Sequence, residues 1–285
     1  MCVPEEYGGA GMDHVSYVIA IEELARVCAS HAVIASVNNS LVCFPILAYG
    51  DEAQKRKYLA PLARGEWIGA YCLTEPNAGS NAANQETTAT RDGDHYVLNG
   101  TKLFVTNAGP SKVLVVYAAT DRALGPRGIS AFIVEAGTPG VTKGKKERKL
   151  GIHASDTREI AFENARVPRE NLLGEPHKGY GVALATLMIE RYIATDSGGF
   201  GPHLDVFVDL VKGLEINGQP ALKDARVRQQ IARNHAMRAG LDSITARAFA
   251  MMQAGMEPGP EGSLQKLVSV RSRQKLSELA LDLQG

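Results

Sequence analysis

The chain has 285 residues, and 31 Lys plus Arg are balanced by 31 Asp plus Glu. That balance excludes a global field favouring nucleic acid or an acidic membrane surface. An apolar share of 45% with 22% charged residues is that of a globular protein, long enough for one large or two ordinary domains.

From Asp13 to about Ala63 the apolar residues recur at helical spacing. The run "DHVSYVIAIEELARVCAS" predicts a helix N-capped by Asp13, with Val15, Val18, Ile19, Leu24 and Val27 on or near one stripe. "HAVIASVNNSLVCFPILAYG" predicts a second helix ending at Gly50, and "DEAQKRKYLAPLARG" a short capped one after it. From Trp67 to about Pro168 the period changes to two. "TTATRDGDHYVLNGTKLFVTN" reads as strand, Asp-Gly turn, strand, Asn-Gly turn and strand, and "VLVVYAAT", "ISAFIVEA" and "REIAFENARVP" continue the pattern. An antiparallel sandwich or barrel follows. From Gly179 the helical period returns: one long helix weakened at Ser197-Gly198-Gly199, a second from near Asp224 to Gly255, and a third beginning in "GPEGSLQKLVSV". The expected class is α+β in α–β–α order. It divides into an incomplete N-terminal helical domain (1–66), a central β-domain (67–177) and an incomplete helical bundle (178–285).

Cys2, Cys28, Cys43 and Cys72 show no C-x-x-C spacing and no secretory leader precedes them, so free thiols in a reduced, cytoplasmic compartment are expected. No apolar run reaches the ~18 residues a membrane span needs. The seven histidines have no metal spacing. "KGKKERK" (Lys143 to Lys149) reads as a solvated basic loop. The Gly pairs at 8–9 and 198–199 are not G-x-G-x-x-G, so no dinucleotide or phosphate loop is indicated. "IGAYCLTEPNAGSN" (Ile68 to Asn81) opens like a strand and turns into small residues; alone it is an ordinary turn, and Phe104 and Val105 are ordinary strand residues.

Taken together the motifs say more. "VPEEYGGAG", "YCLTEPNAGSN", "LNGTKLFVTN", "GISAFIVE", "KLGIHASDTREIAFENARVPRENLLGE" and "MIERYIA" occur in the order and spacing of the acyl-CoA dehydrogenase family, which the chain resembles. From Val3 to about Ala194 the short-chain (butyryl-CoA) members look closest; beyond that the chain is more like a divergent bacterial branch. The resemblance implies helical, β and helical domains with FAD between the last two, an acyl-CoA substrate and an electron-transferring flavoprotein as acceptor. It implies that Tyr71, Leu73 and Thr74 lie beside the flavin's polar edge. Gly79 and Ser80 would let the acyl-CoA pass close, Ser80 bonding its CoA portion. Phe104, Val105 and Thr106 would flank the isoalloxazine, Phe104 on its face and the Thr106 hydroxyl near N5.

The family reaction takes the α-hydrogen of a thioester as a proton and the β-hydrogen as a hydride, so a carboxylate must reach the α-carbon. Most members carry that base near the C-terminus, in a segment this sequence does not contain. A minority carry it on the first long helix of the bundle in a Leu-x-x-Glu-Arg context, and "LMIER" puts Glu190 there, with Arg191 at a substrate-contacting position. A surface salt bridge is the plainer role for a Glu-Arg pair.

Some positions depart from the family pattern. Phe104 replaces a tryptophan and Asn81 an aspartate, and no Arg-x-x-Phe-Gly segment holds the FAD pyrophosphate; Arg226 or Arg228 stands in the equivalent stretch. The absent first and last helices imply uncovered apolar faces and hence a homo- or hetero-oligomer. Two other functions fit the same resemblance: a non-catalytic partner subunit, and a flavin oxidase or monooxygenase on this fold.

Overall fold

The computed structural model describes residues 1–194, 203–254, 256 and 261–285, without the side chains of 189–194, 249, 252 and 253. The expected weak point at Ser197-Gly198-Gly199 and helix end at Gly255 lie outside them. The chain forms two compact units, Met1–Glu190 and Arg191–Gly285.

In the first unit, α1 (His14–Val27) starts where the Asp13 carboxylate accepts the Ser16 N–H at 2.7 Å, the N-cap the sequence predicts. Its buried face is a different one. Tyr17 is buried and donates its hydroxyl to the Ser36 carbonyl, whereas Ile19 is 56% and Val27 91% exposed, with Val15 and Leu24 also exposed. Within this unit α1 packs on α2 (Ala29–Tyr49) through the Tyr17 side, so the expected stripe is left uncovered.

Helix α2 changes to π-helical geometry over Val37–Cys43, and α3 (residues 52–63) does so over Lys55–Leu59. Each π segment lies just ahead of a proline, Pro45 and Pro61. Proline has no N–H to give and crowds the carbonyl four residues back, and a widened turn absorbs both defects. With 21 residues and a mean hydropathy of 1.6 in its most apolar window, α2 is long and apolar enough to cross a membrane, which corrects the expectation that no segment is. Asn38, Asn39 and Ser40 hide this length from a search for an unbroken apolar run. In the fold only part of α2 is buried. Val42, Cys43 and Ile46 bury against the sheet, and Asn38 donates to the Leu62 carbonyl while accepting from Gly69 N.

The strands are β1 (Gly69–Cys72), β2 (Thr88–Asp92), β3 (His95–Thr106), β4 (Val113–Ala119), β5 (Ile129–Glu135), β6 (Val141–Lys146), β7 (Thr157–Pro168) and β8 (Leu172–Leu173). They form one sheet in the order β6-β7-β3-β2-β4-β5-β8, with β1 on β4. Pairing is antiparallel as expected, except that β1–β4 and the short β2–β4 contact are parallel. All seven residues of β4 are buried, because one face meets the helices and the other the interior of the sheet. The N-terminal helices and the sheet therefore share a core. Tyr58, Leu59 and Leu62 pack with Val113, Val115 and Ile133. Helix α4 (Gly179–Ala194) adds Val182 and Ala183 to it.

Asn99-Gly100 is not the turn that its dipeptide predicts. β3 runs straight through, and the pair makes an irregularity in its register with β7. Asn99 spends its amide on Asn164, and Gly100 takes φ +146° where its Cα faces Thr87; a Cβ there would sit 2.5–2.8 Å from Thr87 atoms. Close approach, not chain reversal, is what this glycine serves.

The second unit holds α5 (Leu204–Lys212), a two-residue-strand hairpin of β9 (Glu215–Ile216) and β10 (Gln219–Pro220), α6 (Ala225–Gln253) and α7 (Glu261–Asp282). Its core joins Leu204, Phe207, Val211, Val227 and Leu276. Asp224 caps α6 by accepting from Arg226 N and Val227 N.

The Gly100 geometry is testable. Gly100→Ala should cost about 1–3 kcal/mol, the range for a strained backbone position, read as a lower urea midpoint at unchanged slope. An unchanged midpoint would show that the strand can shift to admit a Cβ.

Candidate active site

A cavity of about 230 Å³ opens in the first unit between β1, β3, α2 and α4. It is lined by Val37, Leu41, Tyr71, Leu73, Thr74, Leu103, Phe104, Thr106 and Leu187. Five residues singled out from sequence thus meet in one place: Tyr71, Leu73, Thr74, Phe104 and Thr106.

The β3 side of the cleft depends on a second irregularity, between Lys102 and Val105. Phe104 there has φ +54°, a left-handed conformation uncommon for a bulky residue. The irregularity breaks alternation. Lys102 (0% exposed) and Val105 (1%) both turn inward, while Leu103, Phe104 and Thr106 line the cleft and Phe104 stands 69% exposed. Val105, expected beside the isoalloxazine, does not line the cleft: its side chain packs with Leu98 and Phe162 in the core.

The β1 side is gripped at Gly69. Its N–H donates to Asn38 Oδ1 at 2.9 Å, and its carbonyl accepts from Asn107 Nδ2 at 3.4 Å. A Cβ at Gly69 would fall 2.4 Å from Val42 Cγ1, so glycine is required for α2 to come this close. Asn107 also donates to the Ile34 carbonyl, and at φ +66° it turns the chain directly after Thr106. The following loop is held by Asp156, whose carboxylate accepts from Gly109 N at 2.7 Å and from Arg158 Nε at 3.0 Å. Lys143 Nζ donates to the Gly109 and Ser111 carbonyls, and Lys149 Nζ to Ser155 O and Thr157 Oγ1. The basic run is therefore partly a set of carbonyl tethers and not only a solvated loop.

Beyond β1, Glu75 and Ala78 exchange backbone hydrogen bonds of 3.1 Å and form the turn, while Leu103 N donates to Thr74 O at 2.8 Å. Beneath this turn lies a buried ion pair, Lys102 Nζ to Glu75 Oε1 at 2.6 Å. Lys102 Nζ also donates to Gln85 Oε1 and to Leu73 O, and the Glu75 carboxylate accepts the N–H groups of Glu86 and Thr87. Burial pushes the Glu75 carboxyl up, but the Lys102 ammonium and those N–H groups outweigh it and hold the group below the usual carboxylate range. Burial pulls Lys102 below the usual lysine range, against the pull of Glu75. Behind the apolar floor, Tyr71 and Tyr117 pack edge to face with ring centroids 5.2 Å apart.

Gly79 and Ser80 are exposed on the turn and do not line the cavity. A Cβ at Gly79 would meet nothing within 4 Å, so protein packing does not demand a glycine there. Glu190 and Arg191 fall in the last turns of α4, but their side chains lie outside the described residues. Arg226 pairs with Asp224 at 3.1 Å at the start of α6, and Arg228 is exposed on the same helix. Sequence reasoning missed Asn38, Gly69, Gln85, Lys102 and Asn107. Lys102 and Asn107 lie inside "LNGTKLFVTN" and Gly69 inside "IGAYCLTEPNAGSN", but nothing in a sequence marks a lysine as buried or a glycine as a contact point.

Among proteins of known family, the acyl-CoA dehydrogenase N-terminal, middle and C-terminal domain models match residues 1–66, 70–165 and 177–285. The mitochondrial short-chain specific acyl-CoA dehydrogenase of Mus musculus is 42% identical over 100% of this chain and 70% of its own length. The solved butyryl-CoA dehydrogenase from Megasphaera elsdenii is 37% identical with a TM-score of 0.86, covering 100% of this chain and 76% of its own. A chain solved in work on the electron transferring flavoprotein of Acidaminococcus fermentans aligns at 37% identity with a TM-score of 0.87, again over 100% and 76%.

The Asp156 clamp gives a pH prediction. Burial raises its carboxyl, but Arg158 and the Gly109 N–H prevail and lower it. A depressed native value contributes stability above the unfolded-state value that is lost as pH falls through it. Asp156→Asn should therefore cost about 1–3 kcal/mol at pH 7, and the difference from wild type in urea unfolding should shrink below about pH 4. A difference constant from pH 7 to acid would refute the electrostatic account.

Proposed function

The chain belongs to the acyl-CoA dehydrogenase family, and on that premise we propose that it oxidises a short- or medium-chain acyl-CoA to the trans-2-enoyl-CoA with FAD seated in the cleft of β1 and β3. The carrying observation is the convergence of Tyr71, Leu73, Thr74, Phe104 and Thr106 on one cavity. A flavin is a flat aromatic system with one polar edge, and the residues present fit it. The floor is apolar, Phe104 presents an exposed ring, and Thr74 and Thr106 bring hydroxyls to the cleft with no protein partner among the described residues.

Bound there, FAD supplies the acceptor for the β-hydrogen as a hydride. The protein's tasks are to orient, to exclude water and to take the α-proton. Val37, Leu41 and Leu187 give an aliphatic wall suited to an acyl chain and unsuited to water. Gly79 and Ser80, open to solvent, are assigned to the CoA portion. Glu190 is assigned as the base. It stands three residues beyond the cavity-lining Leu187 on α4, and residues so spaced share a helix face. Its carboxylate is then the group that accepts the proton from carbon. Arg191 is assigned to the substrate. The division at 67 and 178, electrons leaving to an electron-transferring flavoprotein, a cytoplasmic location and a homo- or hetero-oligomeric assembly complete the proposal.

The test is anaerobic flavin bleaching on mixing with butyryl-CoA. Glu190→Gln keeps size and polarity but removes the proton acceptor. It should retain FAD while slowing bleaching at least ~100-fold. Bleaching at the wild-type rate would remove Glu190 from the mechanism. Oxygen consumption without an added acceptor would favour an oxidase instead.

A further inference from the structure

The buried pair Lys102–Glu75 has no role in the reaction as set out above. Nor is stability a sufficient reason for it: two charges lose several kcal/mol of hydration on burial, and well-packed apolar replacements are often as stable. What distinguishes this pair is where its remaining bonds go. Besides Glu75 and Gln85, Lys102 Nζ donates to the Leu73 carbonyl at 3.3 Å, and Gln85 Nε2 donates to the same carbonyl at 3.2 Å. Two donors, one of them charged, thus hold a single peptide oxygen from the protein interior.

That oxygen belongs to the peptide joining Leu73 to Thr74, two residues that line the cavity. No peptide of the described chain is cis. In a trans peptide the N–H points opposite to the C=O, so the Thr74 N–H points away from Lys102. Among the described residues it has no protein acceptor, although the Thr74 carbonyl is engaged by Leu103 N. Hydrogen bonds to a carbonyl polarise the whole amide and strengthen its N–H as a donor, and a charged donor does so most.

We propose that Lys102 is a positioning residue for the reaction, acting through the Leu73–Thr74 peptide to hold and polarise the Thr74 N–H as a donor to the flavin's polar edge. This rests on the reading of the cavity as the flavin seat. Such a donor favours the reduced flavin over the oxidised one, because electron density on the polar edge grows on reduction. Gln85 shares the task, and Glu75 keeps the ammonium charged inside the protein. Lys102 touches neither substrate nor cofactor.

The variant that separates this role from a structural one is Lys102→Met combined with Glu75→Gln, which removes both charges together and leaves no buried ion unpaired. Three readouts are needed: thermal midpoint, FAD affinity of the apoprotein by flavin fluorescence, and the reduced-to-oxidised flavin ratio against a redox dye at fixed poise. With the fold retained, FAD should bind roughly 3–10-fold more weakly, the range for one hydrogen bond. The reduced-to-oxidised ratio should fall by a similar factor. A folded double variant with both flavin readouts unchanged would overturn the proposal. If that variant does not fold, Gln85→Met leaves the ion pair in place and should move both flavin readouts in the same direction. Unchanged readouts there would overturn it equally. Wild-type protein that binds no FAD would sink the flavin seat itself, a different failure from a wild type that binds and variants that match it.

Discussion

A regular strand alternates its side chains, so four consecutive residues can give only two to one surface. β3 gives three of residues 103–106 to the cavity, and it does so by holding Phe104 at a positive φ within a register irregularity. Much of the site follows from that constraint. The phase slip sends both Lys102 and Val105 inward. An inward lysine requires a counter-charge, which Glu75 provides, and further acceptors, which Gln85 and Leu73 provide. A strained conformation of this kind persists only where its surroundings over-determine it. Here Asn107, Asp156 and Lys143 fix the chain immediately beyond.

The helical wall faces a similar constraint. Val37 and Leu41 must reach the cavity from a helix that also carries Pro45, and the π-helical stretch between Val37 and Cys43 reconciles the two. Gly69, without a side chain, lets that helix lie against β1. Helix and strand are then joined by the amides of Asn38 and Asn107, one on each side of the same glycine. Asn38 bonds through both its amide oxygen and its nitrogen, and Asn107 through its nitrogen, so backbone groups of Leu62, Gly69 and Ile34 are paired beneath the apolar floor.

Periodicity made the α–β–α order and the Asp13 cap legible, because burial imposes a period and a cap needs a short acceptor. The motifs located five of the cavity-lining residues, Tyr71, Leu73, Thr74, Phe104 and Thr106, but not Val37, Leu41 or Leu187. What periodicity could not show is where a period is broken on purpose. Asn99-Gly100 carries the letters of a turn yet sits inside a strand, because its glycine is needed against Thr87. Val105 carries the position of a cleft residue yet faces the core, because the slip at Phe104 precedes it. The stripe Val15–Ile19 has helical spacing yet lies exposed, since amphipathic spacing does not say which neighbour covers a face. Long-range partners such as Lys102–Glu75, 27 residues apart in sequence, leave no local trace.

The central claim is that the cavity between β1 and β3 seats a flavin with Phe104 and Thr74 on its borders. A crystal structure of the chain grown with FAD tests this most directly. The account predicts the isoalloxazine in contact with Tyr71, Thr74, Phe104 and Thr106, and the Thr74 N–H within hydrogen-bond distance of its polar edge. A flavin bound elsewhere, or a cavity filled by the Phe104 ring in the presence of saturating FAD, would contradict it.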